Sequence, residues 1–181
     1  MKKSALGLLF SPFGITQLIM VAAIATALWL SYPSWRFERT KAEIRTRYPA
    51  VSRIDVAAAA EWIEAKAGPL PVVIDVRTRA EYDFSHLPGA IHMAPSEIPP
   101  VGPSGKESAQ LIVYDTVGAD SSAVAVRLAQ LAYHHVIVLD GGIFEWANRG
   151  LALDGANGGT DRVNPGASPF ARVLKRSHRG P

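Results

Sequence analysis

The chain has 181 residues, 48% of them hydrophobic and 19% charged, which is typical of one globular domain with attached segments. The formal net charge is only +3, and no central Lys/Arg stripe interleaves with aromatic residues, so we expect no nucleic-acid partner. The sequence contains no cysteine, which excludes disulfides, thiolate metal sites and a cysteine nucleophile.

An apolar run follows an N-terminal tail over residues 1–14, which is basic only at its start, in Lys2 and Lys3. Residues 15–32 carry no charged side chain, and at about 1.5 Å per residue they would cover about 27 Å, close to the hydrocarbon thickness of a bilayer. Trp29 and Tyr32 lie at one end, where amphipathic rings settle among lipid headgroups. We therefore predict a transmembrane helix that contacts membrane lipid through residues 15–32. A basic juxtamembrane linker over residues 33–51 follows it.

The same run has a second interpretation, a cleaved signal peptide with its cleavage site at the small residues Ala25 and Ala27. Apolar residues continue past that site through Leu30, which favours an uncleaved anchor. A buried core helix is disfavoured because the uncharged span is so long. More Lys and Arg follow the span than precede it, which predicts a single-pass protein of the cell membrane with its domain in the cytoplasm.

Helical and strand patterns alternate over residues 52–153, the predicted domain. The predicted elements, in chain order, are helix Val56–Ala65, strand Val72–Val76, helix Thr78–Phe84 with Thr78 and Glu81 at capping-box spacing, strand Ala90–Met93, strand Leu111–Tyr114, helix Ser121–Ala132, strand Val136–Leu139 and helix Ile143–Arg149. Alternation of near-continuous apolar strands with helices predicts the α/β class, with a central parallel sheet and helices on both faces. Residues 154–181, rich in Gly, Asn, Pro and Arg, read as a disordered basic tail.

The segment LIVYDTVGADS, residues 111–121, runs from a strand through a short loop into a helix. Backbone N–H groups at such a turn form a cradle for an anion. Here the sequence places a carboxylate, Asp115, at the mouth of the cradle and a second one, Asp120, at its far rim. The segment therefore raises the question of which anion the cradle holds.

Two further motifs flank this loop and point to a family. Residues 74–77, IDVR, precede Glu81 and then HLPGAI at residues 86–91, and VLDGG at residues 138–142 precedes Trp146. In this order and spacing the motifs resemble those of rhodanese-like domains. The resemblance covers about residues 52–153 and implies a parallel sheet flanked by helices, a sulfurtransferase type of activity and an active-site loop of pattern Cys-x-x-Gly-x-Arg.

The loop departs from that pattern where the chemistry lies. By the resemblance, Asp115 stands in place of the cysteine and Asp120 in place of the arginine that active members often have, while Gly118 and Ser121 match. A carboxylate cannot carry sulfane sulfur as a persulfide. Asp115 can itself accept the cradle's N–H bonds and is expected to stay ionised and inert. Two negative charges about 6 Å apart repel each other by about 3 kcal/mol at an effective dielectric of 20. An anionic substrate that approaches the carboxylates at the mouth of this loop would therefore be repelled.

No catalytic residue is therefore expected in the loop, which comprises Asp115, Thr116, Val117, Gly118, Ala119, Asp120 and Ser121. The alternatives are Asp115 as a nucleophile for phosphoryl or acyl transfer and a divalent cation held by Asp115, Asp120 and Asp140. Asp120 more simply caps the following helix. The remaining motif residues are interpreted as structural: Asp75, Arg77, Glu81, His86, Gly89, Gly141, Gly142 and Trp146.

The sequence thus predicts a membrane-anchored rhodanese-like protein that is inactive as a sulfurtransferase and acts as a binding or regulatory module. We expect no cofactor and no metal, and a protein partner whose identity the sequence does not give. The alternative is a sulfurtransferase-related enzyme that works with a cysteine of a partner or uses Asp115 as its nucleophile.

Overall fold

The structure, a computed structural model, describes residues 12–65, 68–97, 109–156 and 158–181. The chain divides into two compact units, Met1–Arg36 and Phe37–Pro181. The helices and strands are α1 Pro12–Arg47, β1 Arg53–Ile54, α2 Val56–Ile63, β2 Val72–Asp75, α3 Arg79–Phe84, β3 Ile91–His92, β4 Gln110–Tyr114, α4 Ala119–Gln130, β5 His135–Leu139, α5 Gly142–Asn148, β6 Leu153–Gly155 and β7 Gly158–Thr160.

Helix α1 contains the predicted apolar span and continues through most of the predicted linker. Among the described residues, no helix is both long enough and apolar enough to cross a membrane. The side chains of residues 28–34, which include the predicted interfacial Trp29 and Tyr32, lie outside the described part, as does the tail before Pro12. Within the described part of the apolar span, the exposed large hydrophobic residues are Ile15, Leu18, Ile19, Met20, Val21 and Ile24.

The main sheet has five parallel strands in the order β1-β5-β4-β2-β3. Successive side chains of a strand point to opposite faces, and β4 shows the consequence. Ile112 and Tyr114 join a core cluster with α2 and α5, whereas Leu111 and Val113 join a second cluster with α4. The predicted parallel sheet with helices on both faces is confirmed. Strand β1 was not predicted, because two residues are too few for an alternating pattern.

Local signals at the helix starts mostly agree with the sequence. The Asp55 carboxylate accepts hydrogen bonds from the N–H groups of Ala57 and Ala58 and so caps α2. The predicted capping box of α3 is confirmed, since Thr78 and Glu81 exchange side-chain and backbone hydrogen bonds. Element ends differ from the prediction by at most two residues, as usual for fraying termini.

The predicted disordered tail over residues 154–181 is wrong for its described residues. Strands β6 and β7 form a hairpin, and Val163 and Leu174 are fully buried in the main core cluster. The Asn148 side chain accepts a bond from the Lys175 N–H at 2.9 Å and donates one to the Val173 carbonyl at 3.0 Å. Two isolated apolar residues and the Asn148 amide hold this segment in place. Neither contributes the regular spacing of apolar residues from which a helix or strand could be predicted.

Candidate functional site

The loop, residues 115–121, begins at the carboxyl end of β4 and runs into the first turn of α4. Its backbone is held by the start of α5: the Ile143 N–H donates to the Asp115 carbonyl at 3.0 Å and the Phe144 N–H to the Thr116 carbonyl at 3.3 Å. Gly142, at φ +58°, makes this approach possible, because a Cβ there would lie 2.3 Å from the Asp115 carbonyl oxygen. The VLDGG motif at residues 138–142 therefore fixes the position of the loop.

The structure places the Asp115 carboxylate inside the cradle formed by its own loop. Oδ1 accepts hydrogen bonds from the Gly118 N–H at 2.6 Å and the Ser121 hydroxyl at 2.7 Å. Oδ2 accepts one from the Asp120 N–H at 3.1 Å. The residue is only 3% exposed. The carboxylate thus occupies the site where the N–H groups of the turn would otherwise meet an external anion.

Burial raises the pKa of Asp115, which the sequence analysis did not foresee. The Ser121 hydroxyl and the N–H groups of Asp120 and Gly118 act in the opposite direction, while the charge of Asp120 raises the pKa further. Hydrogen bonds alone would favour the ionised form, but removing the carboxylate from water costs more than they return. Asp115 is therefore easier to protonate than an exposed aspartate, whereas its hydrogen bonds alone would have lowered its pKa.

Asp120 does not cap α4, contrary to the prediction. The helix begins at Ala119, two residues earlier than predicted, and the cap position is Gly118 with φ +105°, a conformation that glycine adopts without strain. Asp120 lies in the first turn, where a carboxylate still interacts favourably with the helix dipole. The backbone N–H of Asp120 donates a hydrogen bond to the Asp115 carboxylate, so Asp115, which lies outside the helix, acts as the capping side chain of α4.

Sequence reasoning missed an arginine beside the loop. Nη2 of Arg53, in β1, donates to the hydroxyl of Ser122 at 3.1 Å. Burial lowers the pKa of Arg53, with Asp140 and Asp115 opposing that shift and Arg45 adding to it. Only the sheet topology places Arg53 near the loop. Arg53 pairs in register with Val138 of β5, and β5 lies next to β4, which leads into the loop.

Asp140 pairs with a cation instead of joining the two loop carboxylates. Its Oδ2 lies 2.5 Å from Nη2 of Arg45. In the described ranges, no group of three or more His, Asp or Glu side chains is arranged to hold a metal ion. The alternative of a divalent cation on Asp115, Asp120 and Asp140 therefore has no support in this geometry.

The first motif forms a separate polar network. Arg77 and Asp75, both almost fully buried, form a two-pronged ion pair at 2.6–3.2 Å, and Arg77 also donates to the Ser85 carbonyl at 2.6 Å. Burial by itself lowers the pKa of Arg77, but the hydrogen bond to Asp75 and the negative charge of Asp75 outweigh it, so the pKa is raised. Glu81 serves the capping box of Thr78.

The other motif residues make structural contacts. Nδ1 of His86 lies 2.8 Å from the Tyr82 carbonyl, and the two rings stack at 4.0 Å. The Gly89 N–H donates to Asp154 at 3.3 Å. Trp146 is 1% exposed and donates to the Ala152 carbonyl at 2.9 Å. None of these described hydrogen bonds reaches the loop.

Comparisons with known proteins agree with this geometry. The family model of the rhodanese-like domain matches residues 56–149, more than half of the chain, so the chain belongs to the rhodanese-like domain family. A protein of Allochromatium vinosum named Sulfurtransferase is 33% identical over 89 residues, 45% of this chain and 77% of that protein. The uncharacterized protein YibN of Escherichia coli K12 is 34% identical over 85 residues, 45% of this chain.

The match spans only 59% of the length of YibN. Among solved structures, the Alr3790 protein of Anabaena sp. superposes with a TM-score of 0.50 at 23% identity, covering 56% of this chain and 81% of that one. At this identity the likeness concerns the fold alone.

Proposed function

We propose that this protein is a membrane-anchored rhodanese-like protein that does not transfer sulfur by the family's mechanism and acts as a binding or regulatory module. One observation carries the proposal. The anion cradle is filled by the chain's own Asp115, whose two carboxylate oxygens accept three hydrogen bonds, in a chain without cysteine. Sulfur transfer needs a thiolate that can become a persulfide, and a buried carboxylate cannot replace it.

The same contacts argue against Asp115 as a nucleophile. An attacking carboxylate needs a free oxygen lone pair directed at the substrate and a group that stabilises the leaving charge. Both oxygens of Asp115 already accept bonds from the loop, and the side chain is 3% exposed. The remaining enzymatic alternative is a cysteine supplied by a partner protein, which would have to enter from outside the loop.

The decisive assay is thiosulfate:cyanide sulfur transfer by the purified full chain. We expect no rate above buffer for the unchanged protein and for Asp115→Ala. A rate in the unchanged protein that Asp115→Ala abolishes would show that Asp115 is catalytic and would contradict the proposal. Asp115→Cys, alone or with Asp120→Arg, tests whether the cradle still supports the family's chemistry when the residues are supplied.

The membrane part of the proposal rests on residues 15–32 and their basic surroundings. Residues 15–27 of α1 are exposed throughout, including its six large hydrophobic residues, and exposed apolar side chains in such number mark a contact surface. Arg36, Arg39, Arg45 and Arg47 follow, as expected for a segment near anionic headgroups.

Fractionation and a topology reporter test this membrane placement. The protein should sediment with membranes and resist extraction by carbonate and high salt, whereas a chain starting at Phe37 should be soluble. A reporter enzyme that works only in the cytoplasm should be active when it is fused after Pro181, and one that works only in the periplasm should be inactive there. Release of the full chain by salt, or activity only of a periplasmic reporter, would overturn the anchor or the orientation respectively.

A further inference from the structure

The last part of α1, residues 37–47, packs against the domain as an amphipathic helix; we call it the cover segment. Phe37, Lys41 and Ile44 are 4%, 7% and 9% exposed. Their spacing of four and three residues places them on one helix face. Phe37 and Ile44 belong to the core cluster that also contains Val117 of the loop. This helix face is therefore committed to the domain.

The basic side chains of the cover segment reach the turn between β5 and α5. Nη2 of Arg45 lies 2.5 Å from Oδ2 of Asp140. The Cδ atom of Lys41 lies 3.3 Å from the position that a Cβ of Gly141 would take. Lys41 is itself held in place by an ion pair with Glu38 at 2.6 Å and lies over the Phe37 ring. The aliphatic stem of Lys41 thus covers Gly141.

Gly141 in turn lies against the loop. A Cβ built on Gly118 would be 3.8 Å from the Gly141 N atom and 3.9 Å from Nη1 of Arg53. Arg53 also bonds to Ser122 in the first turn of α4. One layer of backbone, at Gly141, therefore separates the cover segment from the cap of the helix that follows Asp115.

Charge complements this packing. The loop and the neighbouring turn supply Asp115, Asp120 and Asp140, and the elements that approach them supply Lys41, Arg45 and Arg53. In a site built for an anionic substrate this rim would carry positive charge, whereas here an acidic rim meets a basic helix.

We propose that residues 140–141, which lie against the loop, form an interaction surface for a basic amphipathic helix, and that its occupant is the chain's own cover segment. A partner that approaches the loop across this turn must first displace residues 37–47. This inference does not depend on the catalytic silence of the domain, because it concerns access to the loop and is tested without an activity readout.

The absence of cysteine provides the test, since Asp115→Cys creates the only thiol in the chain. Its reaction with a chromogenic disulfide reagent measures access to the loop in the full chain. A second single-thiol protein, Ser85→Cys, serves as the control. Ser85 is fully buried beside Arg77, and none of the contacts described above for the cover segment involves it, so a thiol at this position reports opening of the domain itself.

We expect the Asp115→Cys thiol to react slowly in the otherwise unchanged chain. Adding Lys41→Ala with Arg45→Ala should speed it by about tenfold or more, because opening of the cover segment becomes easier. The same pair of substitutions should leave the rate of the Ser85→Cys protein nearly unchanged. Phe37→Ala, which removes the largest apolar anchor, should give a larger acceleration in the same direction.

Three results would overturn the proposal. The first is a thiol at position 115 that reacts at the rate of a free cysteine in the unchanged chain, which would mean an uncovered loop. The second is no acceleration by either set of cover-segment variants. The third is equal acceleration of both thiols by both sets, which would mean that these residues support the domain as a whole and do not cover the loop.

Discussion

Two carboxylates are buried at the carboxyl ends of neighbouring parallel strands, and the fold neutralises them in different ways. Asp75 ends β2 and is paired with the buried guanidinium of Arg77. Asp115 follows β4 and is held by two N–H groups and one hydroxyl, with no cation in direct contact among the described residues. Both are almost inaccessible to water, at 0% and 3% exposure.

The difference has a physical consequence. An ion pair at full burial is costly to form, and removing one partner leaves an uncompensated charge. A carboxylate that is held only by N–H and O–H groups has no oppositely charged partner. When it takes up a proton it becomes neutral, and burying it then costs less free energy. We therefore expect the stability of the first site to be sensitive to the loss of either partner, and the stability of the second to depend on pH.

The largest effect is expected at the ion pair. Arg77→Met keeps much of the side-chain volume but leaves the Asp75 carboxylate buried and unpaired, which should cost about 3–5 kcal/mol in the free energy of unfolding. Urea denaturation followed by tryptophan fluorescence measures it. The matched control is Arg79→Met, which breaks the exposed pair with Asp83 and should change nothing measurable.

Adding Asp75→Leu to Arg77→Met should recover much of the loss, because the double variant has no buried charge. A double variant as unstable as the single one would show that packing around Arg77, and not charge, is what the pair supplies.

A smaller effect is expected at Gly142, which holds the loop backbone. Gly142→Ala would place a Cβ 2.3 Å from the Asp115 carbonyl oxygen at φ +58°, so the loop and α5 must separate. We expect a loss of about 3 kcal/mol in the free energy of unfolding from backbone strain and overpacking together. Gly89→Ala is the control, since its φ is +67° but no atom lies within 4 Å. Equal losses at both glycines would mean that conformation alone matters.

At Asp115, the prediction concerns both stability and its dependence on pH. Asp115→Asn turns one carboxylate oxygen into an NH₂ group that meets the Asp120 N–H, and should cost about 2 kcal/mol. Because burial raises the folded-state pKa of Asp115 above 3.8, the folded protein binds this proton more tightly than the unfolded chain. The carboxyl's contribution is full below the unfolded-state pKa and is lost as the pH rises through the folded-state value.

The stability difference between the unchanged protein and Asp115→Asn should therefore shrink as the pH rises above 3.8, by about 1.4 kcal/mol for each unit of pKa shift. Denaturation curves of both proteins across acidic and neutral pH test this. A difference that grows with pH would mean that the N–H groups outweigh desolvation, as the sequence alone suggested.

How far the sequence predicts this structure depends on the range of the contacts. The strands of the sheet except β1, the two-sided covering by helices and the Thr78–Glu81 capping box follow from local patterns, and the structure agrees. The start of α4 does not, because Asp115, five residues upstream of Asp120, supplies the capping bond. A favoured capping residue at Asp120 was therefore misleading.

Long-range packing accounts for the other differences. The C-terminal tail was predicted as disordered because Val163 and Leu174 are single apolar residues in a polar, glycine-rich stretch, yet both are fully buried. Arg53 and the cover segment were missed for the same reason. Their contacts with Ser122 and Asp140 join residues 69 and 95 positions apart, which no local pattern encodes.

The smallest effect is expected at Arg53, and it tests how much a nearby positive charge stabilises the Asp115 carboxylate. Arg53 reaches Ser122 at 3.1 Å and interacts electrostatically with Asp115 without touching it. Arg53→Gln should lower the free energy of unfolding by about 1 kcal/mol, the value of one partly solvated hydrogen bond, and should raise the pKa of Asp115 slightly further. Carboxyl carbon chemical shifts of labelled aspartate measure that pKa directly.

Arg127→Gln is the control, because Arg127 makes a comparable bond to the Pro95 carbonyl at 2.9 Å and should leave the Asp115 titration unchanged. If Arg53→Gln instead destabilised the protein as much as Arg77→Met, Asp115 would depend on the charge of Arg53. The two buried carboxylates would then be stabilised in the same way after all.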